Sequence, residues 1–184
     1  MPPPLASHWL LAHPGTPAPA VRELRVTVEP DPAQGGWWLR YTLGAALAAL
    51  RLPPPAAQPG PADGLWRHTC FEAFVGAARG AAYHEFNFSP SGHWAAYAFS
   101  APRQRASAGH LPLAPRLQWR QGVGTLTLDA WLPQGVLPSA NTPHALGLSA
   151  VIETDDGRLS YWALAHPAPQ PDFHHRAGWT ARLP

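Results

Sequence analysis

Short runs in which apolar and polar residues alternate constrain the fold of this chain more than any other feature. In residues 23–29, for example, Leu24, Val26 and Val28 alternate with polar and charged residues, and similar runs recur between Gly, Pro, Asn and Asp residues. Because successive side chains of a strand point to opposite faces, this period of two is typical of half-buried antiparallel strands. The sequence therefore predicts an all-β fold, a single antiparallel β-sandwich with Pro-rich loops.

The predicted strands are short and numerous. They cover residues 23–29, 37–43, 69–75, 82–88, 94–99, 117–120, 125–132, 146–153, 159–165 and 179–183. The 24 prolines and 16 glycines among 184 residues argue against long helices. One helix-like segment, residues 45–50, is too short to stand alone and is followed by three consecutive prolines, so at most one helical turn is expected there.

The length of 184 residues corresponds to one domain. We expect residues 1–20, rich in Pro and Ala, to be loosely ordered, and residues 21–184 to form the sandwich. The chain start lacks the basic and apolar regions of a secretory signal, and no stretch approaches the roughly 18 apolar residues that cross a bilayer. A cytoplasmic location away from membranes is therefore predicted.

The net charge bears on the expected partners of the chain, and the cysteine content bears on its disulfide bonds. The formal net charge is +2, and all thirteen basic residues are Arg dispersed along the chain, so no nucleic-acid partner is expected. The single cysteine, Cys70, excludes an internal disulfide framework. Because Cys70 lies on a strand without a Cys-His spacing pattern, it is expected to be an inert small apolar residue rather than a nucleophile.

The candidate ligand-binding residues lie on one face of the predicted strands. Centring a hairpin on the Ser-Pro-Ser-Gly turn at residues 89–92 places Asn87 opposite Trp94 and brings Tyr83 and Glu85 onto the same face. In the preceding strand, alternation with the uniformly apolar positions 71, 73 and 75 directs Glu72 to that face too. If Glu72 pairs with Glu85, their carboxylates lie within about 5 Å and must share a proton, a cation or a ligand's hydroxyls.

A later hairpin contributes further candidate binding residues at the periphery of the predicted site. Centring it on the Thr-Asp-Asp-Gly turn at residues 154–157 places Glu153 and Trp162 on one face and directs Tyr161 to the core. Aromatic plates with hydrogen-bonding groups beside them suit a sugar ring, because the flat C–H face packs on aromatic rings while the hydroxyls bond in the ring plane. The predicted saccharide-binding residues are Trp66, Glu72, Tyr83, Glu85, Asn87, Trp94, Glu153 and Trp162.

Several segments resemble a known family. The runs GLWRHTCFEAF at 64–74 and YHEFNFSPSGHWAAY at 83–97, with 147–153, 159–164 and 171–175, resemble bacterial DOMON-like proteins, which are related to family-nine carbohydrate-binding modules. The resemblance implies a β-sandwich that binds a ligand, a sugar in the carbohydrate modules and haem in some DOMON relatives. The carbohydrate modules usually have an acidic residue where this chain has Thr69, so the implied polar contact there depends on Glu72 alone.

The principal hypothesis is a non-catalytic domain that binds a carbohydrate or cell-wall saccharide without a cofactor. A haem or metal protein is the first alternative. Met/His haem ligation is not expected because Met1 is the only Met, whereas haem ligation by two His side chains stays open. His166, Asp172 and His174 are the candidate metal ligands. Two further hypotheses are a protein-interaction module without a small ligand and a glycoside hydrolase that uses Glu72 and Glu85.

Overall fold

In the computed structural model, which describes residues 6–112, 114–136 and 143–183, two antiparallel β-sheets pack face to face as a β-sandwich. The strands are β1 (Ala6–Trp9), β2 (Leu11–Ala12), β3 (Val21–Pro30), β4 (Trp37–Ala45), β5 (Cys70–Ala77), β6 (Tyr83–Phe88), β7 (Trp94–Ala101), β8 (Gln104–Arg105), β9 (Arg116–Gly122), β10 (Thr125–Leu132), β11 (His144–Glu153), β12 (Leu159–Ala163) and β13 (Ala181–Arg182). The predicted all-β fold is confirmed.

The smaller sheet has the strand order β1-β3-β4-β10-β9, and the larger has the order β2-β12-β11-β5-β6-β7-β8, with β13 paired to β11. The helical segments of the described residues are single 3₁₀ turns: Leu47–Ala49, Leu65–Arg67, Gln134–Val136 and Arg176–Gly178. The first of them confirms the one turn expected at residues 45–50. Within the described ranges, the structure has no helix long and apolar enough to span a membrane.

The main core lies between the two sheets and follows from the alternation in the sequence. On β3, Leu24, Val26 and Val28 are fully buried, and the positions between them face outward. On β5, Phe71 and Val75 belong to the same core cluster. The alternate residues of β5 that face the core are apolar. The residues between them, which include Glu72, must therefore point to the outer face of the larger sheet.

A second apolar cluster covers part of that outer face. It includes Phe74, Tyr83, Phe99 and Trp179. Trp179 follows the last 3₁₀ turn and approaches the sheet at Gly147, where any Cβ atom would overlap the indole ring. The C-terminal segment therefore packs on the outer face of the larger sheet, which becomes a buried surface rather than a solvated one.

The β6–β7 hairpin has a turn one residue shorter than the sequence pattern predicted. Gly92 adopts a φ of +89°, its N–H donates to the carbonyl of Ser89 (2.9 Å), and the Ser89 N–H donates to the carbonyl of His93 (2.9 Å). This geometry is a three-residue turn that ends in a left-handed glycine. Phe88, not Asn87, therefore pairs with Trp94. The predicted Asn87–Trp94 pairing is wrong, and Trp94 lies on the inner face of the sheet.

The β11–β12 hairpin differs from its prediction for the same reason. Gly157 has a φ of +82°, and its N–H donates to the carbonyl of Thr154 (2.9 Å). Val151 consequently pairs with Tyr161, which points to the outer face, while Trp162 is buried in the main core. The prediction that Trp162 faces outward and Tyr161 faces the core is wrong, because a shift of one residue exchanges the two faces.

The start of the chain is more ordered than its composition predicted. Strand β1 pairs with β3, with His8 opposite Val26, and β2 pairs with β12. Leu10, between the two strands, is buried in the main core. Residues 6–12 are therefore part of both sheets rather than a loose segment, because backbone pairing and one buried leucine offset the cost of ordering them. Residues 1–5 lie outside the described residues.

Candidate functional site

A cavity of about 600 Å³ lies on the outer face of the larger sheet, at its centre. Strands β5, β6, β11 and β12 form its floor, and the segments that follow β7 and β12 form its rim. Its volume is in the range of pockets that hold small molecules. The lining residues are Trp66, Glu72, Glu85, Phe99, Arg103, Arg105, Val151, Tyr161, Pro171, Phe173 and His174.

Two carboxylic acids form the polar part of the floor. Glu72 is 3 % exposed and Glu85 is 6 % exposed. Glu72 pairs across the strands with Asn87 rather than with Glu85, so the two acids are diagonal neighbours on one face. The predicted shared face is confirmed, although the direct cross-strand pairing of Glu72 with Glu85 does not occur.

Burial raises the pKa of both acids, and for Glu72 the negative charge of Glu85 raises it further. Glu85 is the better stabilised anion, because the Asn87 amide donates to its Oε1 (2.7 Å) and because Arg103 and Arg105 lower its pKa through their charges. The pKa of Glu72 is raised well above its usual value by burial and by the charge of Glu85. The Oε1 atom of Glu72 is buried and has no hydrogen-bond partner among the described residues.

A histidine on the C-terminal segment forms one wall. The Tyr83 hydroxyl lies 2.7 Å from Nδ1 of His174 and also accepts the backbone N–H of Arg103 (3.1 Å). Burial lowers the pKa of His174 to about 4, and the Arg103 charge contributes to this lowering. His174 is therefore neutral at neutral pH, and its Nε2, 3.8 Å from Oε2 of Glu85, is not part of an ion pair. We assign the N–H to Nε2, because Tyr83 can then donate to Nδ1.

Two arginines stand at the rim. Arg103 has a left-handed backbone (φ +60°), and its guanidinium donates to Asp172 (2.8 Å). Arg105 lies 3.7 Å from the centre of the Tyr97 ring, and the Tyr97 hydroxyl donates to Asp63 (2.5 Å). Both guanidinium groups are thus held by partners at the rim, from where their charges still act on Glu85.

We expect Tyr83→Phe to lower the free energy of unfolding by about 1–3 kcal/mol, because the variant leaves Nδ1 of His174 and the Arg103 N–H without their partner. Urea denaturation near neutral pH measures this change. Tyr97→Phe is the matched control and should cost less than about 1 kcal/mol, because its acceptor Asp63 is solvent-exposed and can bond to water instead. Equal costs for the two variants would contradict a structural role for the Tyr83–His174 contact.

The structure brings three of the predicted residues to the cavity and places two behind it. Trp66, Glu72 and Glu85 line the cavity. Tyr83 and Asn87 are fully buried, and they hold His174 and Glu85 through the hydrogen bonds described above. Tyr83 and Asn87 are thus supports of the site.

The other predicted residues have different roles. Glu153 is on the predicted face, but it accepts a hydrogen bond from Arg51 (3.0 Å) and contacts His68 (2.8 Å) outside the cavity. Trp94 and Trp162 lie on the inner side of the larger sheet, as the hairpin registers require.

The candidate metal ligands are not brought together. His174 lines the cavity and Asp172 is bound to Arg103, whereas His166 contacts the carbonyl of Leu11 through Nε2 (2.8 Å). Across the described ranges, no three His, Cys, Asp or Glu side chains are grouped so that they could hold a metal ion.

Cys70 supports the site rather than acting in it. The thiol is fully buried on the same face of β5 as Glu72, and its Sγ lies 3.7 Å from Oδ1 of Asn87. Burial raises the pKa of the thiol well above its usual value, so the group stays protonated and unreactive. The contact fixes the Asn87 amide with its N–H groups toward Glu85.

Sequence reasoning misses several residues that line the cavity. The predicted hairpin register directs Tyr161 to the core, and the signal that could have corrected this is the glycine at the fourth position of both turns. Arg103, Arg105, Phe99 and Phe173 come from loops and strand ends whose position the local pattern does not encode.

Comparison of the sequence with models of protein families and with curated proteins finds no significant match. The cavity offers buried carboxyl acceptors, one imidazole N–H donor and aromatic walls, which is a set of groups for binding a polar ring-shaped molecule.

Proposed function

We propose that this protein is a non-catalytic ligand-binding domain and that the cavity on the outer face of the larger sheet holds a saccharide. The observation that carries the proposal is Glu72, a buried acid that lines the cavity and whose Oε1 atom has no hydrogen-bond partner among the described residues. Buried polar atoms are nearly always hydrogen-bonded, and a ligand hydroxyl that donates to this oxygen would satisfy it.

The walls of the cavity suit a sugar ring. Trp66 lines the cavity and is 47 % exposed, so part of its indole is open to a ligand. Tyr161 and Phe173 contact each other at the rim, with ring centroids 6.0 Å apart. Aromatic faces next to carboxyl groups can pack on the C–H face of a sugar while the acids accept its hydroxyls.

The resemblance to DOMON-like proteins and carbohydrate-binding modules favours the same class of ligand. A cytoplasmic location, which the sequence predicts, favours a mono- or disaccharide over a polymer. The cavity volume of about 600 Å³ agrees with a ligand of this size.

A thermal-shift screen against mono- and disaccharides, cell-wall fragments, haem and divalent ions tests the proposal. We expect a saccharide to raise the melting temperature, since a ligand at 100 times its Kd stabilises the fold by about 2.7 kcal/mol. Stabilisation by haem or a metal ion alone would favour the haem or metal hypothesis. If no compound stabilises the protein, the proposal is wrong and the protein-interaction hypothesis gains weight.

Trp66→Ala should weaken saccharide binding by about 1–2 kcal/mol, because it removes the exposed ring of the cavity. Trp94→Ala is the matched control: the Trp94 ring packs against the main core, so this variant should lower stability and leave the saccharide affinity of the folded protein unchanged. Calorimetric titration measures both affinities. A loss of affinity in Trp94→Ala alone would place the binding surface elsewhere.

A further inference from the structure

The charges around the cavity favour the binding of a cation. Glu72 and Glu85 are buried side by side on its floor. The two arginines whose charges act on Glu85 from the rim have other partners, because Arg103 donates to Asp172 and Arg105 stacks on Tyr97. A buried pair of like-charged groups without a dedicated counter-ion is a costly arrangement unless a proton or a ligand cation neutralises it.

The walls around the two acids are aromatic. Trp66, Phe99, Tyr161 and Phe173 all line the same cavity. Aromatic rings attract cations to their faces, and a cage of rings with a carboxylate is a known way to bind ammonium groups. The lining thus combines two features that favour a positively charged ligand group over a hydroxyl.

We infer that the bound saccharide carries a protonated amino group that lies between Glu72 and Glu85. This inference rests on the proposed function. An ammonium group supplies three N–H donors, one of which can satisfy the unpartnered Oε1 of Glu72 while another reaches Glu85. An amine fits better than a metal ion, since no three His, Cys, Asp or Glu side chains of the described residues are grouped so that they could hold a metal ion.

Binding of the amine is coupled to proton release. In the free protein, burial and the charge of Glu85 raise the pKa of Glu72, which favours the protonated acid. An adjacent ammonium group favours the ionised acid and drives the proton into solvent. The titratable and charged groups around the pair are Tyr41, Cys70, Tyr83, Arg103, Arg105, Tyr161, Asp172 and His174. Since His174 is neutral, it adds no positive charge that would repel the amine.

Isothermal titration of the full chain near neutral pH compares three disaccharides of similar size: the glucosamine disaccharide, its di-N-acetyl derivative and cellobiose. We expect the amine to bind at least about tenfold more tightly than the other two. Its binding heat should depend on the ionisation enthalpy of the buffer, as proton release requires. Glu72→Gln should abolish the amine preference and the buffer dependence. Glu85→Gln, a second variant, should reduce the preference too.

The outcomes separate the two proposals. Equal affinity for all three disaccharides would overturn the inference and leave the proposed function standing. Binding of Ca²⁺ or Mg²⁺ that depends on Glu72, with no preference for the amine, would also overturn it. If none of the three disaccharides binds and no other saccharide of the thermal-shift panel does, the proposed function itself fails.

Discussion

Replacing Trp162 by Ala should lower the free energy of unfolding by about 3–5 kcal/mol, because this indole is buried in the core between the sheets and its removal leaves a large cavity. The folded fraction of this variant should bind saccharides with unchanged affinity. Replacing the adjacent residue, Tyr161, should have the opposite effects on stability and on saccharide affinity. Its ring lines the ligand cavity, so Tyr161→Ala should weaken binding by about 1–2 kcal/mol and cost less stability.

Urea denaturation and calorimetric titration of both variants measure the two effects independently. The pair is a sensitive test of strand register, because neighbouring residues of a strand point to opposite faces. If Tyr161→Ala were the more destabilising variant and Trp162→Ala lost saccharide affinity, β12 would be shifted by one residue relative to β11 and the cavity would be wrongly placed.

Glu72→Gln should stabilise the protein at neutral and alkaline pH. The folded-state pKa of Glu72 is raised from its ordinary value of 4.5 by burial, so wild-type stability from this group is complete below that value and is lost as the pH rises through the folded-state pKa. Gln carries no charge to bury, so we expect a gain of stability on the alkaline side and little change in acid.

Denaturation curves recorded between about pH 5 and pH 9 measure this profile. Glu153→Gln is the matched control, since Glu153 is similarly buried but bound by Arg51 and His68. This control should lower stability by about 1–3 kcal/mol, because it breaks a buried carboxylate's charged hydrogen bonds. A loss of stability in Glu72→Gln across the whole pH range would contradict this account. It would show that the Glu72 carboxyl has its hydrogen-bond partners within the folded chain and needs none from a ligand.

Alternation in the sequence is sufficient to predict the fold class and most strands. The predicted strand at residues 125–132 coincides with β10, and the predictions for β4, β7 and β11 start or end within two residues of the observed bounds. Alternation succeeds because burial on one face of a sheet selects apolar residues at every second position. The same alternation correctly assigns Glu72 and Glu85 to one outward face.

Hairpin register is the main error of the prediction. Both turns end in glycine, at Gly92 and Gly157, and both glycines adopt left-handed backbones that close a three-residue loop. If the loop is taken to have four residues, the strand pairing shifts by one residue. Trp162 is then wrongly assigned to the surface and Tyr161 to the core. The error is avoidable, because a type I turn followed by a left-handed glycine is a recognised hairpin pattern.

The rest of the site depends on contacts distant in sequence. His174 reaches the cavity because Trp179 anchors the C-terminal segment against Gly147 and Phe74. Arg103 reaches it from the turn after β7, held by the Tyr83 hydroxyl. No local period encodes such contacts, so a cavity built between a sheet and two loops could not be predicted from alternation.

The most direct test of the binding account is a two-dimensional ¹H–¹⁵N NMR titration with the saccharide that stabilises the protein most in the thermal-shift screen. The indole N–H groups report the location of the ligand, because Trp66 lines the cavity while Trp94 and Trp162 pack on the inner face. We predict that the Trp66 signal shifts on saturation and that the Trp94 and Trp162 signals do not. Shifts of Trp94 with an unchanged Trp66 signal would contradict the assignment of the outer-face cavity as the binding site.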